Sequence, residues 1–326
     1  MPIRSHRYQL LVSLLTVALI PICVLIGYQS WLLQAEIRKA EEHQSVSTQQ
    51  IADQIESFVE MHRRGIEAAA LQITQSGERS KEKLDAILVA LYRQFPGFIN
   101  MYFADKRATT LAFHPEFNAR GESMVGADFS FREHFKNLLK EPRTYISPVL
   151  KGIGGTEKLL CTIVAPYFDK SGNFDGFVLG ALDLEKIGTI IERAGLDKNI
   201  YAVVTDDRGH AIYAPGWSAL NHPEALDIKA VSQANLVPGQ IRLIRHDSSL
   251  TKQPVVTTAA VLTSPSWYVW LSIPQAEENA IFHQWLVSSA ALVFIVILLV
   301  VLISNTISGK LALVLYLAGG CRIPGK

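Results

Sequence analysis

Three cysteines are too few to staple this chain. Only Cys161 falls in its long central segment, with Cys23 and Cys321 near the two ends, so no disulfide can close within that segment and its stability has to come from a packed core. Charge is missing from two stretches. Residues 8–35 and 284–309 hold no acidic or basic side chain, and each is long enough to cross about 30 Å of hydrocarbon as a helix. Proline is absent and glycine occurs once, at Gly65, over residues 36–74, which excludes a run of turns there and fits an unbroken helix. Catalytic motifs are missing too. The GIGG at 152–155 lacks the Lys-Ser/Thr ending of a phosphate loop, and Asp206-Asp207-Arg208-Gly209 lacks the spaced acids and closing glutamate of a calcium loop. The nine histidines include no pair at zinc-ligand spacing, no G-x-S-x-G elbow occurs, and Cys161 sits in an apolar run. The expectation is a non-enzymatic chain with no cofactor, no metal and no nucleic-acid partner.

What is present is an asymmetry of charge. All 30 acids lie from Glu36 to Glu278, while Arg4, Arg7, Lys310, Arg322 and Lys326 give the ends a purely basic character. By the positive-inside rule both termini are cytoplasmic. A cleaved signal peptide is the rival reading of the N-terminus, but its apolar run contains Pro21 and no A-x-A-like site precedes Gln34, which favours a retained anchor. The expected organisation is a cytoplasmic N-terminus at 1–9, spans at 10–33 and 284–304, an outer segment at 34–283 and a short tail at 305–326.

Within the outer segment the pattern predicts a helix over 36–74, with apolar residues such as Ile51, Ile55, Val59, Ile66 and Ile73 on one face. That stripe fits either packing on its own domain or a homodimer seam. A helix at 83–92 follows. Strand pairs at 98–104 with 109–113, and at 159–168 with 174–184, flank turns beginning at Asp105 and Asp169, with a short amphipathic helix at 131–139 between the pairs. A connecting helix is expected at 184–194. Strands at 201–205, 210–214, 240–245, 255–262 and 267–273 repeat the order in reduced form before a helix from Gln275 runs into the second apolar stretch. The fold class is α+β, a long N-terminal helix with two antiparallel-sheet modules, flanked by two transmembrane helices.

The string FSFREHFKNLL at 129–139, YISP at 145–148, GTEK at 155–158, TIVAPY at 162–167 and the hairpin closing in LGALDL at 179–184 resemble the bacterial double Cache sensor domain. Such domains form the extracytoplasmic ligand-binding parts of chemoreceptors, sensor histidine kinases and diguanylate cyclases. The resemblance covers residues 34–283 and implies two PAS-like modules, a distal one at about 80–185 that carries the pocket and a proximal one at about 198–274. It further implies a multi-pass protein of the bacterial inner membrane, surrounded by lipid, whose central domain is periplasmic or extracellular and binds a small molecule.

The same resemblance places Arg132 where a ligand carboxylate is gripped, and a guanidinium offers a bidentate fork for that task. It sets His134 and Phe135 at positions where an aromatic pair is common and matches Tyr145 to a pocket-facing tyrosine; Tyr102 is added as a wall. Two departures matter. Ala181 stands where amino-acid binders carry an aspartate for the ligand ammonium, leaving Asp183, two residues on and on the same face of a strand, as a displaced candidate. His134 also replaces a tryptophan. An organic acid is thus expected in preference to an amino acid. The alternative function is a structural or adaptor membrane protein whose outer region binds another protein. With about twenty residues after the second span, the sequence leads one to expect a truncated receptor or a sensor that signals through a separate partner.

Overall fold

A computed structural model describes residues 3–153, 158–215 and 236–319. Part of the GTEK motif and residues 320–326, with Cys321, lie outside the described residues. The elements run α1 (Ile3–Ser76), α2 (Lys81–Gln94), β1 (Phe98–Asp105), β2 (Thr110–His114), α3 (Glu133–Lys140), β3 (Tyr145–Ile146), β4 (Leu150–Lys151), β5 (Leu159–Phe168) and β6 (Phe174–Asp183). They continue with α4 (Glu185–Arg193), β7 (Tyr201–Thr205), β8 (Ala211–Tyr213), β9 (Ile241–Asp247), β10 (Pro254–Val261), β11 (Tyr268–Pro274) and α5 (Gln275–Gly319). Two compact units result, one of residues 1–42 with 276–326 and one of residues 43–275.

In the first unit α1 and α5 are long and apolar enough to cross a membrane, α5 being the more apolar. Val17, Ile20, Val24, Val287 and Phe294 are exposed, a surface that water does not favour and hydrocarbon would. Polar groups bond inside the unit. Ser30 Oγ donates to the Ile26 carbonyl at 2.8 Å and Ser289 Oγ to Gln29 Oε1 at 3.0 Å.

The second unit holds two antiparallel sheets. Strand order in the first is β2-β1-β6-β5-β3, with β4 also on β5, and in the second β8-β7-β11-β10-β9. Three of the hairpins close by one device. Asp105 Oδ1 accepts the amides of Arg107 and Thr109, each at 2.9 Å, Asp169 Oδ1 those of Ser171 and Asn173, and Asp206 Oδ1 those of Arg208 and His210. Each turn then needs a left-handed residue three positions after the aspartate. Gly172 and Gly209 meet this without strain, whereas Ala108 meets it at φ 67°, a conformation that disfavours a Cβ.

The apolar stripe of α1 is spent inside the chain. Ile51, Ile55, Val59, Ile66 and Ile73 are buried against Met101, Phe103 and Val178 of the first sheet and Val204, Val269 and Leu271 of the second, while Val46 and Leu71, on other faces of the helix, are exposed. One helix thus supplies core to both sheets. Gln44 Nε2 donates to the Leu271 carbonyl at 2.7 Å, and Thr74 Oγ1 accepts the Phe168 amide at 3.1 Å, tying successive parts of α1 to the second and first sheet in turn.

A bulge near the start of β1 sets which of its first residues reaches the core under α1. Phe98 pairs with Leu182 and Asn100 with Ala181, so the register slips by one between them. Phe98, Met101 and Phe103 therefore face α1, and Tyr102 and Ala104 face the opposite core. Asn100, two residues before Tyr102, faces that opposite side by ordinary alternation, and the slip is what turns Phe98 to the α1 side instead. Phe98 is seated over Gly180, where a Cβ would overlap its ring.

Candidate ligand-binding site

The face of the first sheet away from α1 is covered by the chain from Thr110 into α3. Asp128 Oδ1 accepts the Ser130 amide at 2.8 Å, the Phe129 amide donates to the Ala108 carbonyl at 3.0 Å, and the Arg132 amide donates to the Phe129 carbonyl at 3.0 Å. The backbone is so turned onto the sheet before α3 begins. His134, Phe135 and Leu138 are then buried on the inner face of α3.

Between this cover and the sheet lies a cavity of about 40 Å³. Its floor is Asn100, Thr162, Leu179 and Ala181, and Gly152, Ile153 and Leu160 border one side. An aromatic wall of Phe113, Tyr102 and Phe129 completes it, with Tyr102 stacked 5.2 Å from each of the other two rings. Arg132 and His134 enter from the start of α3. Tyr102 Oη and His134 Nε2 stand 3.4 Å apart, long for a hydrogen bond.

The electrostatics are one-sided. Burial, and secondarily Arg132, push the His134 imidazole down to about 3, so the ring is neutral at ordinary pH. Burial also raises the Tyr102 phenol, against the pull of Arg132, and lowers the Arg132 guanidinium, against the pull of Tyr102. Asp128 and Glu133 are close in sequence, yet among the described residues no ion pair joins Arg132 to a carboxylate. Among the described residues, no acidic one lines the cavity. A half-buried cation with no carboxylate beside it among the described residues favours an anion that enters the cavity.

Of the residues expected from sequence, the structure brings Arg132, His134 and Tyr102 together at the cavity. Three are placed elsewhere. Phe135 packs in the core against Phe177, ring centroids 5.9 Å apart. Tyr145 lies on β3 opposite Val164, half-buried, with its phenol raised mainly by burial and Asn137 bonded to it. The Asp183 carboxylate accepts the Glu185 amide at 3.0 Å at the start of α4 and does not line the cavity. Asn100 and Thr162 were missed. The signal available was polarity, since each is a hydrogen-bonding side chain inside a strand otherwise rich in apolar residues.

No family model matches the chain and no curated protein sequence does. Solved structures do. The extracellular ligand binding receptor from Desulfohalobium retbaense superposes with a TM-score of 0.58 at 19% identity over 71% of this chain. This chain covers 40% of that receptor's length. The ligand binding domain of the Pseudomonas aeruginosa amino acid chemoreceptor PctC, in complex with GABA, gives 0.55 at 22% identity, covering 72% of this chain and 100% of that one. The ligand-binding domain of the Pseudomonas fluorescens chemoreceptor CtaA, in complex with L-isoleucine, gives 0.56 at 17% identity, covering 76% and 97%. With a long helix, two antiparallel sheets in series and a covered cavity in the first of them, the chain has the double Cache fold of these extracellular ligand-binding domains.

Proposed function

We propose that this chain is a membrane-anchored extracytoplasmic sensor in which residues 34–283 lie outside the cell membrane, held by spans at 10–33 and 284–304, and the first module binds a small carboxylate against Arg132. The observation that carries the reading is the half-buried Arg132 at a cavity that, among the described residues, no acidic side chain lines. GABA and L-isoleucine, bound by two structures of the same fold, each present a carboxylate, which supports the assignment. Those neighbours are ligand-binding domains, which accords with a role in recognition instead of catalysis. Signalling then requires that the bound ligand favour one of two arrangements of the outer domain. Pro274 closes β11 and α5 starts at the next residue, so a displacement of the second sheet has a direct covalent continuation into the second apolar helix.

Two measurements test this. A periplasm-dependent reporter fused at positions between 100 and 200 should be active, and activity confined to the cytoplasmic reporter would refute the topology. In a calorimetric screen of small carboxylates, Arg132→Ala should weaken an identified ligand by roughly tenfold to 150-fold, the loss of a charge-assisted bidentate contact. Unchanged affinity in both Arg132→Ala and Arg132→Lys would remove Arg132 from the site.

A further inference from the structure

The floor of the cavity carries a second recognition element. Ala181 on β6 pairs with Asn100 on β1 and with Thr162 on β5, so three side chains form one cross-strand row, neighbours standing about 5 Å apart. Asn100 lies two residues before Tyr102 in regular register, so strand alternation turns its amide to the same face as the aromatic wall. Thr162 is 4% exposed, and among the described residues its hydroxyl has no hydrogen-bond partner although it lines the cavity. A buried hydroxyl without a partner is costly, and a ligand atom that meets it recovers that cost.

The chemistry of the row is neutral. Asn100 offers two donors and an acceptor, and Thr162 offers one donor and acceptor lone pairs. A hydroxyl or carbonyl oxygen on the ligand can bond to either. An ammonium finds no anion in the row, shares the cavity with the Arg132 cation, and would lose its hydration without a compensating charge. Resting on the carboxylate reading above, we infer that the site selects short acids that bear a neutral oxygen function, 2-hydroxy or 2-oxo acids, and discriminates against the corresponding amino acids. Asn100 and Thr162 are the specificity-determining residues, and the alanine between them keeps the row uncharged.

Four three-carbon probes that differ in one group make the test: L-lactate, pyruvate, propionate and L-alanine, titrated calorimetrically into the full-length protein in detergent. Lactate or pyruvate should bind on the order of tenfold tighter than both propionate and alanine, the worth of one or two recovered hydrogen bonds. Thr162→Val, close to the same shape, should bring that ratio toward one. Ala181→Asp should reverse the order in favour of alanine. Far-UV circular dichroism establishes that each variant is folded, and Thr162→Val remains decisive if the buried aspartate is not tolerated. Alanine binding as tightly as lactate, propionate binding as tightly as lactate, or a ratio unmoved by Thr162→Val would overturn this inference and leave the carboxylate reading standing. If none of the four binds, nor any longer acid of these four types, the carboxylate reading itself fails.

Discussion

Asp206 is the buried acid whose loss the outer domain should feel most. It is 1% exposed, and its two oxygens serve four donors. Oδ1 accepts the amides of Arg208 at 2.9 Å and His210 at 2.8 Å. Oδ2 accepts His210 Nδ1 at 3.0 Å and, from the first module, the Val149 amide at 3.3 Å. Asp206→Ala strands these donors and opens a small void; with about 1–3 kcal/mol lost per buried donor left unpaired, offset where water reaches the turn, a total loss of about 3–5 kcal/mol is expected. Over a unit of 43–275 that corresponds to a fall in melting temperature of roughly 6–20 °C. Asp206→Asn keeps the shape and one acceptor, but turns an amide N–H toward donors, so a smaller loss of about 1.5–3 kcal/mol is expected. His210→Ala removes one contact of the four and should cost least. Thermal unfolding of the full-length protein in detergent, followed by the fluorescence of the buried Trp267 and Trp270, measures all three. An Asp206→Ala melt within 1 °C of wild type, or an order in which His210→Ala is the most damaging, would refute the reasoning.

Ile55, with no exposed surface at the centre of the α1 stripe, should lose about 2–5 kcal/mol as alanine in the same melt. Ala108→Gly exchanges the strain of a left-handed alanine, about 1–2 kcal/mol, against one buried methyl worth about 0.8 kcal/mol, so the variant should melt at or slightly above wild type; a marked fall would show that the turn is unstrained. His134 gives a pH dependence with a definite sign. Its folded-state pKa, about 3, lies below the ordinary value of 6.5, so its contribution is complete above 6.5 and is lost as pH falls toward 3. At pH 4.5 the loss amounts to about 2–3 kcal/mol, and His134→Gln should show a correspondingly flatter decline in urea unfolding between pH 7 and 4.5.

Much of the fold could be read from periodicity. The expected strands at 159–168 and 201–205 coincide with β5 and β7, because a run of alternating or continuous apolar residues bounded by Asp-Gly-type turns leaves little freedom. β3 and β4 did not register, each being two residues long. The candidate site was legible only where one residue type carries the chemistry. Arg132 was placed by the family resemblance, with the guanidinium fork as its chemical support, and the structure sets it at the cavity. His134 and Phe135 are adjacent on α3 and both buried, and the helix phase that turns one to the cavity and the other to Phe177 is set by contacts distant in sequence. Asp183 shares the strand parity of Ala181, but β6 ends there and the carboxylate is drawn to the first amides of α4. Asn100 was within reach, being polar and two residues before Tyr102 on the same strand face, whereas the register that sets Thr162 beside Ala181 is fixed only by the pairing of β5 with β6.

The sharing of α1 between the two sheets also sets the order in which the molecule can be made. Gln44 and the Leu271 carbonyl that it holds are 227 positions apart, so the segment synthesised first finds its last partner only when nearly the whole outer domain has been produced. Until β11 is in place the helix near residue 44 lacks the strand to which it bonds. Contacts of such long range slow folding and prolong the exposure of sticky surface. The second module is, in effect, a discontinuous body whose first piece is the helix near residue 44 and whose remainder is 201–275. A chimera that exchanged only the contiguous segment 201–275 for that of a relative would leave behind the helix against which the new sheet must pack, and the graft would need residues 43–59 to travel with it.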